Sequence, residues 1–587
     1  MANNMINLTI DGRQLLVDEG TTVMDAAEQI GIHIPRLCYH PDLSLEGACR
    51  VCIVDVKDMG FYMASCSVKV WEGMEVQTNS PQIRQARRDI VELLLDNHPM
   101  DCQTCVRNGN CELQNLAYDL GVRERLFEGE RKNFDRDETS ESVVRDPNKC
   151  ILCGRCIRVC AEVQGINNLN QHGRGFATIV MPAHGVNMDD SVCIQCGQCI
   201  NVCPTAALLE KSHTDRVWAA LGDPNKHVIV QTAPSIRAAI GEGFGLEPGT
   251  PATGRMVTAL QRMGFDTIFD TNFTADLTIM EEATEFLNRL KGEGGPLPIL
   301  TSCSPGWVNF LEKFYPELIP NMSSCKSPMG MMSSLCKTFY AEKLGVAPED
   351  LYVVAVMPCV AKKYEAARSE HVMADGTPYT DAVLTTRELI WMIKSYGIDF
   401  VNLPESHADA PLGFSSGAAD IFGTTGGVME AALRTAVVKL TGKPGQDIEF
   451  YDVRAVEGRR EASLDVAGMT VNVGVANGLN NAKVLLDKVV NKEKEFHIVE
   501  IMACPGGCIG GGGQPYPPTG VRVLDPELLR KRAAALYDID THKQIRMSHD
   551  NPAIIDLYEK FLGEPASHKA HELLHTHYTP RTPRGIK

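Results

Sequence analysis

The chain has 587 residues, 44% of them hydrophobic, and 57 basic side chains stand against 74 acidic ones, for a formal charge of −17. At about 150 residues per domain that length implies roughly four domains, and the acidic balance without a long Lys/Arg run excludes a phosphate-binding stripe and hence nucleic acid as a partner. The N-terminal stretch MANNMINLTIDGRQLL lacks a secretory leader pattern and no apolar run of about 18 residues follows, so a cytoplasmic protein without direct membrane insertion is expected.

The 21 cysteines fall mostly into tight clusters, which in a reducing cytosol points to metal ligation over disulfides. Strand-like runs at Met5 to Ile10 and Gln14 to Val17 and a helical pattern at Thr22 to Ile30 precede Cys38, Cys49, Cys52 and Cys66. Three thiols on one loop with a fourth from a later element is the layout of a 2Fe-2S ferredoxin-like domain, although the first gap exceeds the plant-type spacing. Four thiolates would also suit zinc. Ser80-Pro81 supplies a cap and a first-turn proline for the next helix, with Ile83, Ala86, Ile90, Val91 and Leu94 as its expected buried stripe. It stops near HPMDCQTCVRNGNC, where His98, Cys102, Cys105 and Cys111 have a spacing suited to one metal centre. An imidazole in place of a thiolate makes a cluster less negative and raises its potential.

CILCGRCIRVC and CIQCGQCINVC, starting at Cys150 and Cys193, form an internal C-x2-C-x2-C-x3-C repeat. In two-cluster ferredoxins the fourth cysteine of each run ligates the other cluster. That predicts one cubane on Cys150, Cys153, Cys156 and Cys203, and a second on Cys193, Cys196, Cys199 and Cys160. One 2Fe-2S and three accessory 4Fe-4S clusters make a relay for single electrons, and a relay needs a terminus.

After His213 cysteines become sparse and strands alternate with helices, as in HVIVQTAP, DTIFDTNF, PLPILTSC and DLYVVAVMPC. Hydrophobic strands ending in polar or cysteine-bearing loops indicate an α/β arrangement with a ligand at their carboxyl ends. Cys303 and Cys359 lie just past such strands, and Cys504 and Cys508 precede four glycines that permit close backbone approach. The glycines lack the Lys-Ser/Thr of a P-loop and the context of a dinucleotide fold. Over Leu277 to Lys291, Leu277, Met280, Thr284, Leu287 and Leu290 form an apolar stripe; Glu282, Glu285 and Arg289 lie on another side that reads, on the residues alone, as solvated surface. Cys336 reads as a small buried residue on a helix.

TSCSPGW (Thr301 to Trp307), MPCVAKKYE (Met357 to Glu365) and MACPGGCIGGGGQP (Met502 to Pro515) closely resemble the three signature segments of iron-iron hydrogenases, and HDNPAIIDLYEKFLGEPASHKAHELLHTHYTPR resembles the family's small-subunit region. The resemblance runs through nearly the whole chain. It implies a multidomain α+β and α/β protein: a 2Fe-2S β-grasp ferredoxin-like domain (1–80), a histidine-ligated 4Fe-4S domain (81–140), a two-cubane ferredoxin-like domain (141–212), a two-lobed α/β catalytic domain (213–520) and a fused small-subunit-like segment (521–587). The implied cofactor is an H-cluster, a 4Fe-4S cubane joined through a cysteine sulfur to a two-iron unit carrying CO, cyanide and azadithiolate. By motif position Cys359, Cys504 and Cys508 would ligate it, with Cys508 as the bridge and Lys362 hydrogen-bonding a cyanide. Pro234, Ser235, Ser327, Pro328, Met357, Phe422 and Met502 would shape the pocket.

The family's first motif is usually TSCCPxW, in which the first cysteine passes protons and the second ligates the cubane. Here Ser304 occupies the ligand position. The fourth ligand is left between Ser304 and Cys325, the latter at a position where many relatives carry a small residue; if Cys303 ligates instead, the shuttle thiol is lost. Glu282, Glu285, Arg289 and Ser323 would lie on the path from solvent to Cys303. The resemblance further implies reversible turnover of hydrogen, flavin- and iron-sulfur-bearing partner subunits reacting with NAD(P), ferredoxin as a further electron partner, and dedicated maturation proteins. The rival readings are a single-chain ferredoxin-linked hydrogenase, a hydrogen-sensing or cluster-assembly relative with little turnover, and an electron-transfer subunit of a respiratory NADH dehydrogenase, whose N-terminal modules are similar but which lacks the three motifs.

Overall fold

A computed structural model describes residues 4–127, 129–442, 449–456, 458–466, 468–517 and 524–581; the expected boundary at 520 and 521 lies outside these. In the first module strand Met5–Ile10 pairs antiparallel with Arg13–Asp18 and parallel with Met74–Gln77, and Ile53–Val56 and Tyr62–Ala64 complete a five-stranded sheet. Alternating side chains put Leu8, Ile10 and Val17 into one core with Val23, Met24, Ala26 and Ala27 of helix Val23–Gln29, giving the β-grasp layout. Thr22 caps that helix by accepting the Asp25 N–H at 3.1 Å.

Helix Pro81–Asp96 starts as expected, with Ser80 Oγ accepting the Ile83 N–H at 3.1 Å. Its buried stripe differs from the expected one: Ile83, Arg87, Val91 and Leu95 face inward, while Ala86, Ile90 and Leu94 are half-buried. Arg87 is the cause. Its guanidinium donates to the carbonyls of Ile53 (2.7 Å) and Thr78 (3.0 Å), so a charged residue occupies the central inward position. The two-cubane module carries two short antiparallel pairs, Val143–Arg145 with Leu208–Glu210 and Leu169–His172 with Ile179–Pro182.

The catalytic region is built on two four-stranded sheets. One is parallel throughout, in the order Thr267–Asp270, His227–Thr232, Leu351–Met357, Ala382–Thr385. The other orders Ile299–Leu300, Ile498–Met502 and Met469–Asn477 in parallel and adds Arg459–Val466 antiparallel at its edge. Strands covered on both faces read as unbroken apolar runs, which is why VVAVM and IVEIM stand out in the sequence. Thr301, Pro358 and Ala503 each lie just past the carboxyl end of a strand, the first and third in one lobe and the second in the other. Among the described residues no helix is long and apolar enough to cross a membrane.

The C-terminal helices Pro526–His542, Pro552–Leu557 and His568–Leu574 supply polar partners to buried groups of the catalytic lobes. Asp540 takes two bonds from Arg434 (3.0 and 2.9 Å), and Arg532 grips Glu242 (2.7 and 2.6 Å) while donating to the Ile509 carbonyl beside Cys508. Asp276 accepts from Ser548 and Asn551, and Glu312 from Arg581.

Candidate active site

The strand ends bring the three motifs together between the lobes. After strand Ile299–Leu300 the chain extends through Cys303 to Ser304, and Pro305 opens helix Pro305–Phe314. Cys359 follows strand Leu351–Met357, and Cys504 and Cys508 follow strand Ile498–Met502. The Cys359 thiol shares a hydrogen bond with Cys504, which together with burial pushes it well above the ordinary thiol range. Burial and the neighbouring Cys359 push Cys508 up to about 12, and the Lys362 ammonium faces both. These are the responses of thiols held apart from water and close to one another, the setting in which a cationic metal core favours thiolates.

Lys362 donates to Ser327 Oγ (2.7 Å) and to Glu365 (2.6 Å). Phe422, Met502 and Ile279 form an apolar wall against which Cys303 packs. Ser235 Oγ is buried without a hydrogen-bond partner among the described residues; Pro234 and Pro328 open short helices and Met357 ends its strand one residue before Pro358 and two before Cys359. Three neighbouring thiols and a lysine supply all but one of the ligands that an H-cluster would need, and the fourth has to come from the first motif or its neighbourhood.

The alternatives for the fourth ligand separate in space. Ser304 Oγ accepts the Ala503 N–H at 3.2 Å, one residue before Cys504. Cys303 instead faces Glu282, Cys508, Glu500 and Lys362. Cys325 is fully buried in an apolar cluster with Phe269 and Met331 and acts on Glu285, Glu282 and Glu281.

Helix Asn272–Leu290 begins five residues before the expected start and is buried nearly all round. Its polar side is therefore no solvated surface: Glu282 and Arg289 are buried and Glu285 is half-buried. Burial, then the nearby Glu285, push the Glu282 carboxyl up to about 8, so it holds a proton at neutral pH. Ser323 Oγ donates to Glu285 at 3.0 Å and also bonds Glu282. Arg289 pairs with Glu285 at 2.6 Å and fastens the carbonyls of Asn321 and Met322. The order Glu285, Ser323, Glu282, Cys303 thus runs from the rim inward. Glu500, which the sequence reading missed, accepts the N–H groups of Gly426 and Met429 at 2.7 Å each, and burial pushes its carboxyl up to about 7. Its signal was an acid inside the apolar strand IVEIM.

The four thiols of Cys38, Cys49, Cys52 and Cys66 form one hydrogen-bonded group. Cys150, Cys153, Cys156 and Cys203 line one cavity and Cys160, Cys193, Cys196 and Cys199 another, the crossed grouping that the repeat predicts. His98 is buried, which with the nearby Lys149 lowers its imidazole to about 4, and Lys149 donates to Cys105 Sγ at 3.8 Å. Cys111 abuts the Pro204 carbonyl next to Cys203, at 3.6 Å. Arg158 spans the carbonyls of Cys38 (2.6 Å) and Cys153 (3.3 Å). Two entry modules therefore meet the same foursome. The second foursome adjoins the catalytic loops: Gln164, Gln198 and Asn201 donate to the carbonyls of Ala503, Gly510 and Gly511. A Cβ on Gly512 would stand 2.5 Å from the Cys196 carbonyl oxygen, and one on Gly197 2.7 Å from Val360 beside Cys359. Gly512 thus brings two backbones together and Gly197 admits the Val360 side chain, a closer reading than approach to a bulky ligand alone.

Known proteins share this arrangement. The model for the C-terminal domain of the iron only hydrogenase large subunit matches residues 226–512, and that for the iron hydrogenase small subunit matches 526–581. A 2Fe-2S iron-sulfur cluster binding domain matches 3–81, the iron-sulfur binding region of NADH-ubiquinone oxidoreductase-G matches 87–125, and a 4Fe-4S dicluster domain matches 149–207. The NADP-reducing hydrogenase subunit HndD of Solidesulfovibrio fructosivorans is 50% identical over 98% of this chain and 99% of that protein. The chain belongs to the iron-iron hydrogenase family. Iron hydrogenase 1 of Clostridium pasteurianum is 43% identical over 98% of this chain and 100% of that protein. The solved apo hydrogenase HydA1 of Chlamydomonas reinhardtii, in a variant form, superposes with a TM-score of 0.56 at 45% identity, covering 63% of this chain and 100% of that one. The chain is thus a hydrogenase, an oxidoreductase with accessory 2Fe-2S and 4Fe-4S domains ahead of an H-cluster domain.

Proposed function

We propose that this hydrogenase interconverts hydrogen with protons and electrons at an H-cluster held by Cys359, Cys504, Cys508 and Ser304, with Cys508 as the bridging ligand. The bound H-cluster supplies the open iron position and the basic amine that together split or form hydrogen. The protein's part is to hold and move the proton. Cys303 stands between that site and Glu282, and a carboxyl with a proton affinity near working pH is suited to pass protons in both directions. Ser323 and Glu285 continue the path outward, Arg289 fixes Glu285, and Lys362 offers its ammonium to a cyanide. The observation that carries the reading is the meeting of Cys303, Cys508 and Lys362 with the buried carboxyl of Glu282. Infrared spectra of the matured protein test it: bands of CO and cyanide on iron are expected, and their absence from active protein would overturn it.

Ser304 is preferred as fourth ligand because its hydroxyl lies one residue from Cys504, whereas Cys303 and Cys325 face the carboxylates. Ser304 would hold the cubane as an alkoxide, a harder ligand than a thiolate. In protein carrying the cubane alone, Ser304→Cys should raise the reduction potential and shift the electron spin resonance spectrum. Unchanged spectra in Ser304→Cys, or changed ones in Cys325→Ala, would reject Ser304.

Electrons would travel from the 2Fe-2S cluster and the histidine-ligated cluster into the Cys150 cubane, then through the Cys193 cubane to the H-cluster, for a count of one 2Fe-2S and three accessory 4Fe-4S clusters. Partner subunits that carry flavin and react with NAD(P) would dock on the entry modules. The likeness to an NADP-reducing hydrogenase subunit and the exposed Leu93, Met100, Val106 and Tyr118 around the histidine-ligated centre support this. A native complex that contains only this chain and reduces no pyridine nucleotide would favour the ferredoxin-linked alternative.

A further inference from the structure

One buried cation of the relay modules has no acid beside it. Arg107, in the turn between Cys105 and Cys111, is 5% exposed and folds back so that its Nε donates at 2.6 Å to the Asn110 carbonyl, on the peptide that joins Asn110 to Cys111. Its Nη1 is buried with no hydrogen-bond partner, and no carboxylate lies within ion-pair distance of it among the described residues. The other cations at this joint are paired: Arg155 with Glu112 (2.6 and 2.9 Å), Arg145 with Asp137 (3.5 Å), Lys149 with Asp101 (3.8 Å) and Arg387 with Glu210 (3.0 Å). Burying a charge without a counter-charge is strongly unfavourable, so an anion has to stand nearby.

The surroundings of Arg107 say which. The Tyr516 ring takes both Arg107 and Arg387, whose guanidinium carbons lie 3.7 and 4.5 Å from its centroid. Arg387 is fixed in turn by Asn201, two residues before Cys203, at 3.2 Å and by the carbonyls of Gly512 and Gln514 at 2.5 and 2.8 Å. The Pro204 carbonyl accepts the Glu112 N–H at 3.0 Å and lies 3.6 Å from Cys111 Sγ. Arg107 is thus held at the seam where Cys111 meets Cys203. Burial works to lower the pKa of its guanidinium, yet Tyr516, Cys203 and Cys111 raise it on balance.

We propose that Arg107 is the counter-charge of the two iron-sulfur centres that meet at this seam, the one on Cys105 and Cys111 and the one closed by Cys203, and that it raises the reduction potentials of both. The inference rests on the relay proposed above. A cluster on thiolates is a net anion, and an added electron makes it more so. A fixed cation beside it therefore stabilises the reduced form more than the oxidised one. The step is the arrival of one electron; no bond forms and no proton moves, because a guanidinium keeps its proton. Two anionic centres side by side oppose each other's reduction, and the cation offsets that repulsion. Tyr516 is a positioning residue: its ring holds the guanidinium at the seam, and its hydroxyl is buried without a hydrogen-bond partner among the described residues.

The test uses the matured full chain in its native complex, with the accessory clusters followed by spin resonance during a redox titration and iron counted for Arg107→Met, Arg107→Lys, Tyr516→Leu and Tyr516→Phe. Arg107→Met keeps the aliphatic stem and removes the charge. The two centres at the seam should become about tenfold harder to reduce, or about 59 mV lower for a one-electron step, while the Cys193 cubane shifts less. Arg107→Lys should restore most of the potential. Tyr516→Leu should cost about 3-fold, and Tyr516→Phe should match wild type. Unmoved potentials in Arg107→Met at full iron content would overturn the proposal, as would equal shifts in Arg107→Met and Arg107→Lys, which lost packing alone would give. If Arg107→Met fails to hold its iron, Tyr516→Leu decides: lowered potentials at the seam sustain the proposal and wild-type ones overturn it. Absence of accessory-cluster signals from the wild-type protein would instead overturn the relay itself.

Discussion

The accessory modules and the catalytic site both depend on cysteine, and they gather it in opposite ways. Cys150, Cys153 and Cys156 sit within one short loop, as do Cys193, Cys196 and Cys199, and only the fourth member of each foursome is exchanged. Cys303, Cys359 and Cys504 come from the ends of three strands in two different sheets. The loops need little besides their ligands, because passing an electron asks for closeness and a matched potential and moves no proton. The catalytic site also moves protons, and it surrounds its thiols with Glu282, Glu500 and Lys362, groups whose proton affinities burial has altered or whose charges it has paired.

Substitutions can break this contrast. The largest effect is expected at Cys359: Cys359→Ala should abolish hydrogen turnover and the infrared bands while the accessory clusters keep their spectra. Glu282→Gln comes next. Turnover should fall by about 10²- to 10³-fold, the loss expected of a general acid–base group, with the clusters spectroscopically intact. The same substitution changes stability in a pH-dependent way. Folding raises the Glu282 pKa from its ordinary 4.5 to about 8, so between those values the native state holds the extra proton and wild-type stability falls as pH rises. Glu282→Gln should therefore melt progressively higher than wild type as pH rises from about 5 to about 8, as read by calorimetry. Arg158→Gln should slow delivery of electrons between the partner complex and the H-cluster about 3-fold, a modest effect because the second entry module remains and the guanidinium acts through two carbonyl hydrogen bonds. Its turnover with a dye should be unchanged. Ser80→Ala, at the cap of the helix behind the 2Fe-2S module, should cost about 1 kcal/mol of stability and leave activity alone.

The same contrast sets what could be read before the fold was known. The cubane repeat, the cap at Ser80 and the strand runs are local patterns, and local periodicity carries them. The polar side of helix Asn272–Leu290 is the opposite case: nothing in its own spacing reveals that the C-terminal segment and the loop at Ser323 cover it. Only the motif resemblance pointed to Glu282 and Glu285. Arg87 went unread for a related reason, since its carbonyl partners lie in other elements. The sequence leaves Ser304 and Cys325 open as fourth ligand, and the proposal of Ser304 draws on contacts made in space, the Ala503 N–H at Ser304 and the carboxylates around Cys325.

The acids Asp276, Glu281 and Glu312 are buried in the catalytic lobes and are met by Ser548 and Asn551, by His575 and by Arg581 respectively, while Asp540 shares Arg434 with the buried Glu430. Severing the polypeptide between 517 and 524 would take from Asp276, Glu281 and Glu312 part of their polar partners and uncover the apolar cluster in which Leu557 and Leu574 pack with Met331 and Leu335. Such fragments should find one another when co-expressed and rebuild the joint, whereas either one alone should be insoluble or degraded. The covalent link is then a convenience of synthesis, and what joins the two pieces is the set of polar contacts and the shared apolar cluster across it.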